Sequence, residues 1–219
     1  MISLALEAST YAGSVCVVRG GEIVAARDVR MRDAKSERLM PSVVATLADA
    51  GLEIDALDRI VCGAGPGSFT SLRIAAAISK GLALAAGCPL FAVSSLALMV
   101  GATAPSLAAG EYVAVLDALR GEAYTALCVV DGAGQVVEIG PVTLLPSREV
   151  DALAQSARVL VGEGRPVPAV PHARGVARVE ALLERHGPTD LGGWEPEYGR
   201  VAEAQRRWEA THGRPLPHA

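Results

Sequence analysis

The apolar positions of this chain change period several times, and each change marks an element. ISLALEAS (2–9) is a nearly unbroken apolar run, which reads as a buried strand ending at Glu7–Thr10. SVCVVRGGEIVAARDVR (14–30) is two strand-like runs hinged at Gly20-Gly21, the signal of a hairpin. The period then lengthens. In SERLMPSVVATLADAG (36–51), Leu39, Val43, Leu47 and Ala50 recur at helical spacing, with Pro41 in the first turn and Gly51 as a stop. RIVCGAG (59–65) is a fourth strand, and a long helix over about 70–86 follows its glycine-rich loop. PLFAV (89–93) is a fifth strand, after which Ser94-Ser95 can cap a helix reaching about Val100.

After a weak compositional break at TAPSLAAGE (103–111) the same order starts again. YVAVLDA (112–118), AYTALCVVD (123–131) and, beyond the turn 132–134, QVVEIGPVTLL (135–145) read as strands. A helix near 147–157, a short strand RVLVG (158–162) and a helix near 174–186 complete the repeat. A loop-like stretch from 187 leads into a polar helix, AEAQRRWEATHG. Strands, helix, strand, occurring twice, predict an α/β chain with mixed sheets in two unequal halves around a cleft.

Composition narrows the function classes. The 219 residues are 51% hydrophobic but only 4% aromatic, so Ala, Val, Leu and Gly must fill the core. That disfavours aromatic stacking platforms for single-stranded nucleic acid. Net charge is −4, and the surplus of acid lies entirely after residue 110, which leaves neither half with the cations that independent nucleic-acid binding requires. Cys16, Cys62, Cys88 and Cys128 sit in apolar runs without metal-ligand spacing and read as reduced core residues, pointing to the cytoplasm. Gly81–Gly110 is uncharged for longer than a membrane span needs, but Gly87-Cys88-Pro89, Ser94-Ser95, Gly101 and Pro105 divide it into helix end, strand and helix. The N-terminus lacks a basic flank and carries Glu7, unlike a signal peptide.

Four features carry candidate chemistry. The loop Gly65-Pro66-Gly67-Ser68-Phe69-Thr70 is either an anion-binding turn at a helix N-terminus or a tight strand-to-helix turn capped by Ser68 or Thr70; it is not a P-loop. The helix behind it is apolar almost all round, with Arg73, Ser79 and Lys80 its only strongly polar members. Such a helix is buried on more than one side, by a partner or by the chain itself. Glu7 and Asp117 end the first strand of each half, and either face one another across the cleft to hold a metal–nucleotide or cap local turns. Gly162-Glu163-Gly164 is a turn against which a base could lie. The four histidines have no zinc-site spacing, and no GxSxG elbow occurs, so no metal site is expected.

GPGSFTSLRIAAAISKGLALAAGCPLFAVSSL, with LALEAST…SVCVV, SERLMP, VLDALRGEAY and EPEYGR, closely resembles the TsaB (YeaZ) family, whose signature is written GPGSFTGLRI before an alanine-rich helix. The resemblance implies an actin/sugar-kinase/Hsp70-like fold with two unequal RNase-H-like lobes, here 1–104 and 105–200, followed by a tail, 201–219. It implies a cytoplasmic, non-catalytic dimerisation subunit of the machine that places threonylcarbamoyl on the adenosine 3′ of the tRNA anticodon. The partners implied are the Gcp-like catalytic subunit TsaD and a TsaE-type ATPase, with a homodimer when TsaD is absent and tRNA met only through the complex. The implied interface lies on the helices at about 36–50 and 70–86. Its candidate residues are Leu39, Val43, Leu47, Leu72, Arg73, Ala76, Ile78, Lys80 and Leu82.

The chain departs from the family pattern at Glu7, where the first strand usually ends Asp-Thr-Ser, and at Lys35, Ser71 and Leu119. Glu7 and Leu119 fall where active relatives of the fold contact nucleotide or metal, which weighs against ATP handling. The expectation is no cofactor for the chain itself, with ATP or ADP and magnesium belonging at most to the complex. The alternative is a small ATPase or kinase of the same fold. Its candidates are Glu7 and Asp117 on the metal, with Gly65, Gly67, Ser68 and Thr70 near phosphate.

Overall fold

In a computed structural model of the chain, residues 1–31, 36–154, 158–200, 208 and 211–213 are described. Lys35 and nearly all of the expected tail helix lie outside them.

The hairpin is as its Gly20-Gly21 signal requires. β1 (Ile2–Glu7) pairs antiparallel with β2 (Ala12–Arg19), and β2 with β3 (Glu22–Arg30). β4 (Arg59–Gly63) and β5 (Leu90–Val93) add in parallel, giving the order β3-β2-β1-β4-β5. The second sheet repeats the scheme. β6 (Gly110–Asp117) pairs antiparallel with β7 (Glu122–Val130) and parallel with β10 (Val159–Val161). The single strand expected over 135–145 is two, β8 (Val136–Ile139) and β9 (Thr143–Pro146), both antiparallel to β7. Gly140-Pro141 separates them, since proline has no N–H for the ladder.

Among the described residues five α-helices are named: α1 (Leu39–Asp49), α2 (Phe69–Ala86), α3 (Ser95–Gly101), α4 (Ser147–Ala154) and α5 (Glu180–His186). α1 starts later than its pattern suggests, and the Glu37 carboxylate accepts the Leu39 and Met40 amides in place of a cap. The helix expected near 174–186 is a 3-10 turn, Ala173–Arg178, followed by α5. A Cβ at Gly175 would stand 2.0 Å from the Leu98 carbonyl oxygen, so glycine lets this turn press onto the backbone of α3.

The strands' two-residue period sorts these pieces into layers. Leu4, Leu6, Val15, Val17, Ile60 and Cys62 face α1 and α2. Ala5, Cys16, Val61 and Val93 point the other way, into a core shared with α3, the 3-10 turn, α5 and the inner face of the second sheet. Val113, Val115, Ala123 and Leu160 pack beneath Val150 of α4. The result is helices, sheet, helices, sheet, helix, the two-sheet arrangement of the actin/sugar-kinase/Hsp70-like class. Gly81–Gly110 divides as expected, into the end of α2, β5 and α3. α2 is long and apolar enough to cross a membrane by length and composition, but its inner side is packed into this core.

Cys16, Cys62 and Cys128 belong to the buried clusters, and burial pushes each thiol up to about 12.

Candidate functional site

The loop between β4 and α2 is built by close backbone contact. A Cβ at Gly65 would lie 2.1 Å from the Glu197 carbonyl oxygen, and one at Gly67 would lie 2.1 Å from that of Ser9. Two of the loop's amides are already used within the fold. Ser68 N–H donates to the Ser9 carbonyl at 2.7 Å and Gly65 N–H to Ser95 Oγ at 3.1 Å. Ser68 takes the N-cap position of α2, yet its hydroxyl lies 3.1 Å from that of Ser71 rather than on the helix amides. The glycines serve packing here.

Glu7 and Asp117 do not meet. Glu7 is fully buried, with one carboxylate oxygen accepting Ser9 N–H at 2.5 Å and the other the Ser95 hydroxyl at 2.8 Å. A Cβ at Gly63 would overlap that carboxylate, at 1.9 Å from Oε2. Burial raises the Glu7 carboxyl above its ordinary value, against the pull of the hydrogen bonds from Ser9 and Ser95. A buried acid with both oxygens engaged does not fit a magnesium–nucleotide ligand.

Asp117 is exposed, and its carboxylate accepts Leu119 N–H at 2.8 Å. It lines a cleft of about 850 Å³ between the two sheets, together with Gly67, Ser68, Phe69, Tyr11, Arg120 and Arg165. Gly65, Thr70 and Glu7 are not among the lining residues. Glu163, from the Gly162–Gly164 turn, is; a Cβ at Gly162 would stand 2.2 Å from the Val115 carbonyl oxygen.

Most of the helix positions expected at an interface are turned inward in the fold. Leu39, Val43, Leu47 and Leu82 are buried against the chain's own sheet, Ile78 packs partly against it, and Leu72 and Ala76 are buried within the fold. The reason is the phase of the stripe: the residues that recur most regularly are those that the sheet itself claims. Outward stand Met40, Val44, Ala77, Gly81 and Leu84, with Val44 57% and Leu84 70% exposed. No Cβ added at Gly81 would meet another atom within 4 Å, so nothing in the fold requires glycine there.

Arg73 and Lys80 lean from this outer stripe onto a strap formed by 187–200. Thr189 closes the edge of β5, its N–H donating to Leu90 O at 2.7 Å and its hydroxyl accepting Ala92 N–H at 3.1 Å. Lys80 Nζ donates to Trp194 O at 2.6 Å. Glu197 N–H donates to Ala64 O at 2.8 Å, and Arg73 Nε to Tyr198 Oη at 3.0 Å. The Tyr198 ring lies 4.5 Å from Phe69 by centroid, and Arg73 Cζ lies 4.2 Å above Phe69. Beyond the loop, Tyr124 Oη donates to Tyr198 O at 3.2 Å, and Arg200 bonds Glu122 and the Leu119 carbonyl. Trp194, Tyr198 and Arg200 were absent from the site expected by pattern. The signal was an aromatic and arginine cluster, WEPEYGR, in a chain with few aromatics.

The sequence model of the TsaD family, tRNA N6-adenosine threonylcarbamoyltransferase, matches residues 30–160. The Bacillus subtilis tRNA threonylcarbamoyladenosine biosynthesis protein TsaB is 28% identical over 95% of this chain and 98% of its own length. YeaZ from Pseudomonas aeruginosa superposes with a TM-score of 0.74 at 28% identity, over 90% of this chain and 99% of that one. The chain belongs to the TsaB (YeaZ) family. The TsaB of Haemophilus influenzae is 36% identical over 121 residues, 55% of this chain and 51% of the relative. Matches of this second kind span about half the length of the curated relatives.

Three of the departures from the TsaB pattern have a place in the fold. Glu7 ties the end of β1 to α3 through Ser95. Ser71 is buried, with its hydroxyl on that of Ser68. Leu119 and Arg120 carry positive φ of 63° and 59° in the β6–β7 turn, which leaves Leu119 54% exposed at the lip of the cleft.

Proposed function

We propose that this chain is a non-catalytic docking subunit in the formation of threonylcarbamoyladenosine on tRNA, and that it engages a TsaD-type catalytic subunit through the outer faces of α1 and α2. The observation that carries the reading is the pairing of an exposed apolar face, Met40, Val44, Ala77, Gly81 and Leu84, with an acid, Glu7, sealed away from the cleft. The names of the TsaB relatives and the TsaD family match support the pathway. Large apolar side chains beside a glycine and an alanine allow a second helix to lie close and bury them. In this reading two copies meet through the same face when the catalytic subunit is absent, a TsaE-type ATPase completes the machine, tRNA is held by the assembly, and the chain contributes no cofactor.

The test is titration of the chain with a purified TsaD-type protein from the same organism. Leu84→Glu is expected to keep its melting temperature and lose at least about tenfold in affinity, as charge in the centre of an apolar contact does. Unchanged affinity would refute the docking face. The cleft and Asp117 favour a second reading, a small ATPase. Calorimetry with Mg-ATP addresses it: micromolar binding abolished by Asp117→Ala would move that reading to the front.

A further inference from the structure

We infer that Arg73 is a preset clamp for a carboxylate of the protein that docks on α2, an inference that rests on the docking reading above. Arg73 is exposed on the outer side of α2 and continuous with Ala77, Gly81 and Leu84. Its side chain is nevertheless fixed. Nε donates to Tyr198 Oη at 3.0 Å, and the guanidinium carbon stands 4.2 Å from the Phe69 centroid and 5.6 Å from that of Tyr198. Tyr198 is in turn held by Tyr124, whose hydroxyl donates to its carbonyl, and its chain neighbour Glu197 is tied through its N–H to the Ala64 carbonyl. The two terminal guanidinium nitrogens have no hydrogen-bond or ion-pair partner among the described residues. What the surface presents is a planar donor fork with its rotamers already restricted, the geometry that matches a carboxylate with two parallel hydrogen bonds. A partner that meets it avoids the ordering entropy a loose arginine would lose.

A protein carboxylate fits these surroundings better than an RNA phosphate. Glu195 acts electrostatically on Arg73, Glu197 lies in the same strap, and the chain's net charge is −4. Phosphate-backbone binding draws on several cations at once, and this face offers one free fork, Arg73, with Lys80 already held on the Trp194 carbonyl.

The experiment uses the full chain and the purified TsaD-type subunit, with Arg73→Lys, Arg73→Ala and Leu84→Glu compared by calorimetry. Arg73→Lys keeps the charge and removes the fork, so it is expected to lose about tenfold in affinity or more, as Arg73→Ala does, with the melting temperature unchanged. If Arg73→Lys binds within twofold of wild type while Leu84→Glu does not bind, the clamp is wrong and the docking face stands. If both bind as wild type, or wild type itself does not bind, the docking reading falls and the clamp with it. A third arm adds tRNA to the assembled complex. Loss of tRNA with protein affinity intact would assign Arg73 to phosphate and overturn the clamp.

Discussion

Gly81 offers a test in which the isolated chain and the complex should respond with opposite sign. It sits inside the 18-residue helix α2, where glycine is less favourable than alanine by about 0.5–1 kcal/mol, because its backbone loses more freedom on folding. The usual compensations are missing: its φ is not positive, and a Cβ would meet nothing within 4 Å. Gly81→Ala should therefore stabilise the monomer by roughly that amount. For a domain of this size, 1 kcal/mol moves the melting point by about 2–4 °C, so a rise of about 1–4 °C is expected in scanning calorimetry at low protein concentration. If the missing Cβ serves the approach of a partner helix, the same variant will bind the TsaD-type subunit more weakly. A fall in melting temperature would refute the structural reasoning, and a stabilised variant with unaltered binding would refute the functional half.

Ala76→Glu and Ala77→Glu should part company although they are neighbours. Ala76 is 5% exposed, so its variant should lose more than about 3 kcal/mol in urea unfolding, whereas the exposed Ala77 variant should stay within about 0.5 kcal/mol of wild type; equal costs would mean the phase of α2 is misassigned. Glu7 has its carboxyl raised by burial, so its folded form holds a proton that the unfolded chain releases near pH 4.5. Stability then falls as pH rises from about 4.5 through the folded value, and Glu7→Gln, which mimics the protonated acid, should flatten that decline in denaturant melts across pH. Arg59 is 6% exposed and grips Glu180 through both terminal nitrogens, at 2.7 and 2.5 Å. Glu180→Ala should cost about 2–3 kcal/mol by urea titration, less than for a fully buried pair because Glu180 is partly solvated; a cost below about 0.5 kcal/mol would show that the pair contributes little.

The sequence carried the order of elements because most strands and helices here have a face to bury, and the period of that face is local information. Gly20-Gly21, Gly51 and Gly87 marked their stops for the same reason: each takes positive φ. What the periodicity could not carry was which apolar residues face the sheet and which face outward. Leu39 and Val44 look alike in the chain and differ only in which side of α1 the sheet occupies. The same limit applied to Glu7 and Asp117. Both end a first strand, but the partners that engage Glu7 completely, Ser9 and Ser95, include one from a helix far along the chain. The strap was the least legible part. Without regular structure it has no period, and its meaning lies in pairings with residues 74 or more positions away.

Those separations bear on the order in which the molecule can be made. The first sheet and its helices are synthesised early, yet the edge of β5, the flank of α2 and the floor of the Gly65 loop are completed only when 189–200 arrive. Until then β5 presents unpaired backbone groups and α2 an uncovered side, a surface prone to pairing with other chains. Contacts that join distant parts of the sequence also close slowly, because the loop entropy is lost before they form. The strap therefore acts as the late fastening of an early-built half, and a ribosome stalled shortly before Thr189 would hold a nascent chain with its first sheet made and its edge still open.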